Sequence, residues 1–168
     1  MIDGNPIAGS AAPFDRGHLP VDDDARALAA RLMTAGEGAL ATSLDGRPLA
    51  TRVACLMIAG TGMTLLVSGL SDHSRALDQD PECALMTALG GDRGDAGDPL
   101  TGPRLTLRGR AWRIDKAQVR DAWLQAHPAA SLYYDFADFR VLRIEPSDAL
   151  LIAGFGRAVR LAPEDLPR

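Results

Sequence analysis

Alternation of apolar and polar residues dominates the chain from residue 38 to residue 161 and predicts β-strands. Short turns rich in Gly, Pro and Asp separate the alternating runs. Predicted strands begin at Gly38, Leu49, Met63, Glu82 and Arg104, and two or three further strands follow between residues 139 and 161. Short strands joined by tight turns pair with antiparallel neighbours.

Three segments have helical spacing instead. Asp24 is a candidate N-cap for the first helix, and Ser71 or Asp72 for a short second one. A third helix is predicted from Lys116 to Pro128, where the proline ends it. Strands and helices do not alternate regularly, so the predicted fold is mainly β (α+β), a six-stranded antiparallel barrel with short flanking helices.

The length of 168 residues suits one domain. Residues 1–23 are rich in Gly, Pro and Asp without an apolar period, which predicts an extended or partly disordered arm before a domain at 24–168. The segment 90–103 is predicted to form a long loop of the kind that is often functional or mobile. Cys55 and Cys83 lack the spacing of a metal or redox motif and are expected to be buried.

Charge and hydropathy exclude several classes of protein. A formal net charge of -4 argues against a nucleic-acid-binding protein, which needs a clustered basic face. No apolar run reaches the ~20 residues of a membrane span, and the first residues do not resemble a signal peptide, so a cytoplasmic protein is expected. The three histidines lack metal-ligand spacing, and no metal site is predicted.

Arg52 shares a strand face with Ala54, Leu56 and Ile58, while Thr51 and Val53 lie on the opposite face. An arginine on an apolar face needs an anion or an end of the strand that is open to water. Two interpretations therefore stand, an anion-binding residue and a solvated residue at the rim of the sheet.

Ser71, Ser74 and Arg75 form an SxxSR motif at the predicted start of the second helix. Free N–H groups, two hydroxyls and a guanidinium at a helix N-terminus suit a phosphate group. The alternative is a capping serine with a solvated arginine. An arginine on an adjoining strand, Arg52, favours the phosphate interpretation. His73 lies between the serines and either contacts a ligand or faces water.

Gly97 to Trp112 joins a Gly/Pro-rich loop to an alternating strand. Thr106 and Arg108 share one face of that strand, and Leu105 and Leu107 share the other. The later AGFGRAV segment lacks the third glycine of a dinucleotide fingerprint and is not interpreted as one.

Four consecutive blocks, ALATSLDGRPLATRV, LLVSGLSDHSRALDQDPECALM, GDPLTGPRLTLRGRA and YYDFADFRVLRIEPSDALLIAGFGRA, resemble the pyridoxamine phosphate oxidase-like flavoproteins, in the branch related to haem-utilisation proteins. The resemblance covers most of the chain from Ala39 to Ala158. It implies a six-stranded split barrel and a homodimer with two FMN sites at the subunit interface.

The same resemblance implies residue roles. Arg52 would meet the FMN phosphate with Ser74 and Arg75, and Thr106 and Arg104 would face the cofactor of the other subunit. The backbones of Val53 and Val67 would bond the flavin ring, and Ser71 and His73 would support the phosphate pocket. The predicted cofactor-binding residues are Thr51, Arg52, Val53, Val67, Ser68, Ser71, His73, Ser74, Arg75, Thr106, Phe155 and Arg157.

Three functional hypotheses follow. The first is an FMN-dependent oxidoreductase acting on a small molecule, with the flavin as electron carrier and no catalytic side chain. The second is a haem-binding or haem-trafficking protein that uses the same cleft. The third is a flavin-binding sensor or storage protein without turnover.

Overall fold

The computed structural model describes residues 18–89, 98 and 100–167, and its main element is one antiparallel sheet. The predicted strands are confirmed within two residues at each start. The strands are β1 (Glu37–Leu44), β2 (Arg47–Ile58), β3 (Gly62–Ser68), β4 (Glu82–Thr87), β5 (Arg104–Ile114), β6 (Phe139–Ile152) and β7 (Ala158–Leu161).

The sheet closes into a barrel. Its order is β3-β2-β1-β4-β5-β6-β7, and β3 also pairs with β6. The closed ring therefore contains six strands, and β7 continues the sheet beyond it along residues 149–152 of β6. This arrangement confirms the predicted fold class, a mainly β (α+β) split barrel.

In the described part of the chain, three α-helices flank the barrel: α1 (Asp23–Leu32), α2 (Asp72–Gln79) and α3 (Arg120–Ala126). The predicted N-cap of α1 is wrong, because the carboxylate of Asp22 rather than Asp24 accepts the N–H of Ala25 at 2.7 Å. The predicted third helix is also divided. Its first turn, Lys116–Val119, is a 3-10 helix. The α-helix ends at Ala126, just before Pro128 as predicted, and Pro128–Leu132 forms a further short 3-10 helix.

The core has two parts. Inside the barrel, alternate side chains of every strand form one apolar cluster, which includes Val53, Val67 and both cysteines. Outside the barrel, α3 and the 3-10 segment cover Leu66 and Val141 with the buried side chains of Trp123 and Tyr134. Both cysteines are free and buried, as the sequence predicts, and burial raises the pKa of each thiol to about 12.

One bulge bends the sheet where β5 and β6 pair. The register shifts between Arg108 and Gly109, and a side chain at Gly109 would place its Cβ 2.1 Å from the carbonyl oxygen of Glu145. Only a residue without a side chain allows this approach.

Candidate functional site

Arg52 and Thr106 lie on the same face of the sheet. The register pairs Arg52 with Ala39, Ala39 with Met86, and Met86 with Thr106. Directly opposed residues of an antiparallel sheet share a face, so these four side chains form one row across the outside of the barrel. Three strand spacings of about 4.8 Å separate the ends of the row by roughly 14 Å.

Met86 lies in this row between Ala39 and Thr106, and small residues occupy the row beside it. The adjacent row runs from Ala50 through Ala41 and Ala84 to Arg108. We call the surface of Ala39, Ala41, Ala50 and Ala84 the alanine face. Its short side chains leave a flat region on which a planar group or a second protein surface can lie closely.

The guanidinium of Arg52 is open to solvent. Its side chain is 81% exposed, and its one ion pair among the described residues is a long contact of 3.7 Å to the carboxylate of Glu37. Arg52 lines two adjoining hollows, one bordered by His127 and the other by Met86. The structure places this arginine on the outer face, where its charged group is open to water and accessible to an anion.

β2 and β3 separate close to Arg52. Their register runs from Ile58 and Gly62 to Ala54 and Leu66 and does not continue to Val53 and Val67. The side chains of both valines are buried in the core, so only their backbone atoms are suited to contact a ligand. β3 instead continues along β6, where Ser68 lies opposite Phe139.

α2 begins immediately beyond this separation. Ser71 is its N-cap and accepts the N–H of Ser74, and the hydroxyls of both serines lie 2.7 Å from the carbonyl oxygen of Ser68. Ser74 is fully buried. The two hydroxyls therefore stabilise the first turn of α2, which matches the capping interpretation for Ser71. Arg75 is 59% exposed and pairs with Asp72 at 3.0 Å.

Thr51 connects β2 with α2. Its Oγ1 lies 3.1 Å from Nδ1 of His73, while Nε2 of that histidine is buried without a partner among the described residues. Burial, and secondarily the positive charge of Arg140, lowers the pKa of His73. A neutral imidazole therefore lies between the strand of Arg52 and the helix of Arg75.

Arg140 is a residue of this region that sequence reasoning missed. It donates to the carbonyl oxygen of Ser74 at 2.9 Å and pairs with Asp78 at 2.9 Å, and its side chain is only 14% exposed. These contacts fasten α2 to β6. The sequence gives little indication of this contact, because Arg140 is 66 residues from Ser74.

Phe155 and Arg157 lie elsewhere in the same chain. Both are exposed in the loop after Ile152, at one end of β6, whereas α2 follows the strand that pairs with the other end of β6. A side chain added to Gly154 in this loop would approach the Thr101 carbonyl oxygen at 3.9 Å. Most of the predicted loop 90–103, namely residues 90–97 and 99, lies outside the described residues, as do residues 1–17 of the predicted arm.

The described part of the chain contains no cluster of three or more His, Cys, Asp or Glu residues able to hold a metal ion. None of its helices has the length and apolar content that crossing a bilayer requires.

Comparison with known proteins places the chain among split-barrel proteins, although no family model matches it. It is 36% identical over 119 residues to the non-canonical haem oxygenase HOZ, a chloroplastic protein of Arabidopsis thaliana. The aligned region covers 68% of this chain and 34% of HOZ. The chain thus spans about a third of that curated relative.

Solved structures give the same assignment. A haem-binding protein from Mycobacterium smegmatis is 30% identical with a TM-score of 0.76, over 86% of this chain and 60% of that one. A Clostridium acetobutylicum protein of the pyridoxinephosphate oxidase family, related to general stress protein 26, shares the fold at 13% identity, with a TM-score of 0.66 over 86% of this chain and 99% of that one. The solved neighbours therefore include a member of the pyridoxinephosphate oxidase family and a haem-binding protein, which matches the branch that the sequence resembles.

Proposed function

We propose that the protein binds FMN on the outer face of the barrel and acts as an oxidoreductase on a small molecule. The observation on which this depends is the contact between Thr51 and His73, because it holds the strand of Arg52 against the helix of Arg75. The two guanidinium groups are both exposed, and an anion between them would gain two charge-assisted contacts.

The chemistry of the region fits a phosphate group. Arg52 has only a distant carboxylate partner, and the N-terminus of α2 adds a partial positive charge. Ser71 and Ser74 would act by shaping this terminus, since their hydroxyls already bond the backbone. The roughly 14 Å between Arg52 and Thr106 leaves room on the alanine face for an extended cofactor that begins at Arg52.

The side chains of this site would bind and orient the cofactor. FMN, when bound, supplies the transfer of hydride or single electrons. Arg52 and Arg75 would hold its phosphate, and the separation of β2 from β3 would offer backbone groups of Val53 and Val67 to its ring. No side chain of the site is required as a nucleophile.

A second copy of the chain would complete the site. The alanine face is broad, apolar and in part exposed, as an interface between copies requires. In such a homodimer Thr106, Phe155 and Arg157 would approach the cofactor bound by Arg52 of the partner, which accounts for their distance from α2 within one chain. Light scattering after size exclusion would test the dimer, and a charged substitution, Ala41→Glu, would be expected to yield a monomer.

Haem is the second candidate ligand, because HOZ is a haem oxygenase and the Mycobacterium smegmatis protein is a haem-binding protein. Titration with FMN and with haemin, followed by absorption and flavin fluorescence, separates the two. Saturable flavin binding that haemin does not displace supports the first proposal, and a Soret shift with no flavin binding overturns it. Reduction of bound FMN by NADH or NADPH above the rate of free flavin distinguishes an oxidoreductase from a binding protein without turnover.

A further inference from the structure

His127, which the sequence analysis did not include in the site, borders the hollow beside Arg52 and has a fixed ring. Its Nε2 lies 3.1 Å from the carbonyl oxygen of Cys55, and its ring stacks on buried Trp123 at a centroid distance of 5.1 Å. A carbonyl oxygen only accepts hydrogen bonds, so Nε2 has the proton and donates it. In the neutral ring, Nδ1 then presents a lone pair.

His127 lines the hollow, and Nδ1 has no hydrogen-bond partner among the described residues, nor is it among their buried unpaired polar atoms. Gly36 borders the ring, and a Cβ there would contact Cε1 of the imidazole at an ordinary 3.4 Å; its φ of +80° is what favours glycine. The hollow has a volume of about 480 Å³, and the charged or titratable side chains that line it are Arg52, Glu37 and His127.

The following inference rests on the proposed ligand-binding function. We propose that a ligand oxyanion binds between Arg52 and Nδ1 of His127. One proton is then held in a hydrogen bond between His127 and this oxyanion. A lone pair on Nδ1 repels an oxyanion, whereas a proton there makes a charge-assisted hydrogen bond. Glu37, which is 63% exposed and 3.7 Å from the guanidinium, would be displaced toward solvent by the ligand.

The oxyanion has two possible sources, the phosphate of a flavin and a carboxylate of haem. Both groups offer the same chemistry to Arg52 and His127. His73 is the histidine that the sequence predicted for the site, but its Nδ1 is already engaged by Thr51 and its Nε2 is buried. His127 is therefore the histidine of this region whose free nitrogen is accessible.

Sulfate is a suitable probe, because it remains a dianion throughout the pH range of histidine titration. Two-bond ¹H–¹⁵N spectra of the chain, which has three histidines, would be recorded during sulfate titration at pH 6 and pH 8 and constant ionic strength. We expect Nε2–H in the free protein and a saturable shift of Nδ1 in His127, with His18 and His73 as internal controls. Sulfate affinity should fall at least about fivefold from pH 6 to pH 8.

His127→Gln should weaken sulfate at pH 6 and remove this pH dependence. Arg52→Gln should lower affinity at both pH values, and Glu37→Gln should raise it at both. Saturable sulfate binding that leaves the His127 ring unchanged, or no binding at all, would overturn the inference; the spectra of the unaltered protein decide this even if a variant does not fold.

Pairs of ligands that differ only in the oxyanion identify its source. They also test the inference about His127 separately from the proposal that FMN is the ligand. FMN should take up a proton that riboflavin does not, measured by calorimetry in buffers of different ionisation enthalpy, if the oxyanion is the flavin phosphate. Haemin should differ from its dimethyl ester in the same way if it is a haem carboxylate. If flavin or haemin binds without His127-dependent proton uptake, only the inference about His127 is contradicted. If sulfate shifts His127 but flavin does not bind, only the proposal of FMN as the ligand is contradicted.

Discussion

Thr51 and His73 join two elements that are 22 residues apart in the sequence, through a hydrogen bond of 3.1 Å between a hydroxyl and an imidazole nitrogen. The bond spans the place where β2 leaves β3 and α2 begins. It adds a polar contact to a helix that is otherwise held by the buried side chains of Ser74, Ala76 and Leu77. The same imidazole has its second nitrogen buried without a described partner, so its protonation state matters to the fold.

Acid should destabilise the protein through His73. Its pKa is lowered in the folded state by burial first and by Arg140 second, so the unfolded chain binds a proton near pH 6.5 that the folded chain does not. The free energy of unfolding should therefore fall as the pH drops below about 6.5. Urea denaturation at pH 7.5 and pH 5.0 would show a smaller fall for His73→Gln. Equal falls in both proteins would contradict this role.

Arg140→Gln should loosen α2. The substitution removes the pair with Asp78 and the donor to the Ser74 carbonyl oxygen, in a side chain that is 14% exposed. We expect a loss of about 1–3 kcal/mol in the free energy of unfolding and weaker FMN binding. Hydrogen exchange would report the first effect as faster exchange in α2. Arg110→Gln, which breaks an exposed pair with Glu82, is the matched control and should change stability by less than about 1 kcal/mol.

Arg52→Ala should weaken FMN roughly tenfold or more, since it removes a charge-assisted phosphate contact of about 1.5–3 kcal/mol. Riboflavin affinity should change much less, because riboflavin has no phosphate. Arg47→Ala, at the exposed start of the same strand, controls for lost charge. Fluorescence titration measures the affinity of both ligands for the unaltered protein and for each variant. If FMN and riboflavin weakened alike in Arg52→Ala, the phosphate would lie elsewhere.

The strands could be predicted from the sequence because apolar and polar residues alternate along them, and the apolar ones are those whose side chains enter the barrel. Arg52 and Thr106 were assigned to the correct faces of their strands, and the pairing register then placed them in one row. The cap of α1 was misassigned because three consecutive aspartates at 22–24 each satisfy the same local preference. Local preference cannot choose among identical residues.

Contacts between distant residues were beyond the sequence. Arg140 and His127 contact residues 66 and 72 positions away, and neither position breaks a local pattern in a way that marks it. His127 follows a short helix, where its sequence position indicates a solvated helix end. Its role in the site emerges only when Gly36 and Cys55 are brought beside its ring.

Lys116→Met should destabilise the segment that precedes β6. The Lys116 amino group donates to the carbonyl oxygens of Tyr134, Phe136 and Phe139 at 3.0, 2.8 and 3.1 Å. Removing it takes one donor from each of these oxygens, of which that of Phe136 still accepts the N–H of Phe139, at a cost of about 2–3 kcal/mol in the free energy of unfolding. Chemical denaturation measures the change. Arg113→Met, three residues earlier and exposed, should cost less than about 0.5 kcal/mol, and a similar cost for both would contradict the argument.

Gly109→Ala should destabilise the barrel by about 3 kcal/mol or more. Its new Cβ would lie 2.1 Å from the Glu145 carbonyl oxygen and 2.9 Å from the carbonyl carbon, and both are backbone atoms that move only with β6. Gly60→Ala separates this clash from backbone strain, because Gly60 has a φ of +75° but open space around it. That control should cost about 1 kcal/mol. Equal losses in thermal or urea denaturation would mean that the bulge relaxes around a side chain, and that the close approach of β5 to β6 is not required for closing the barrel.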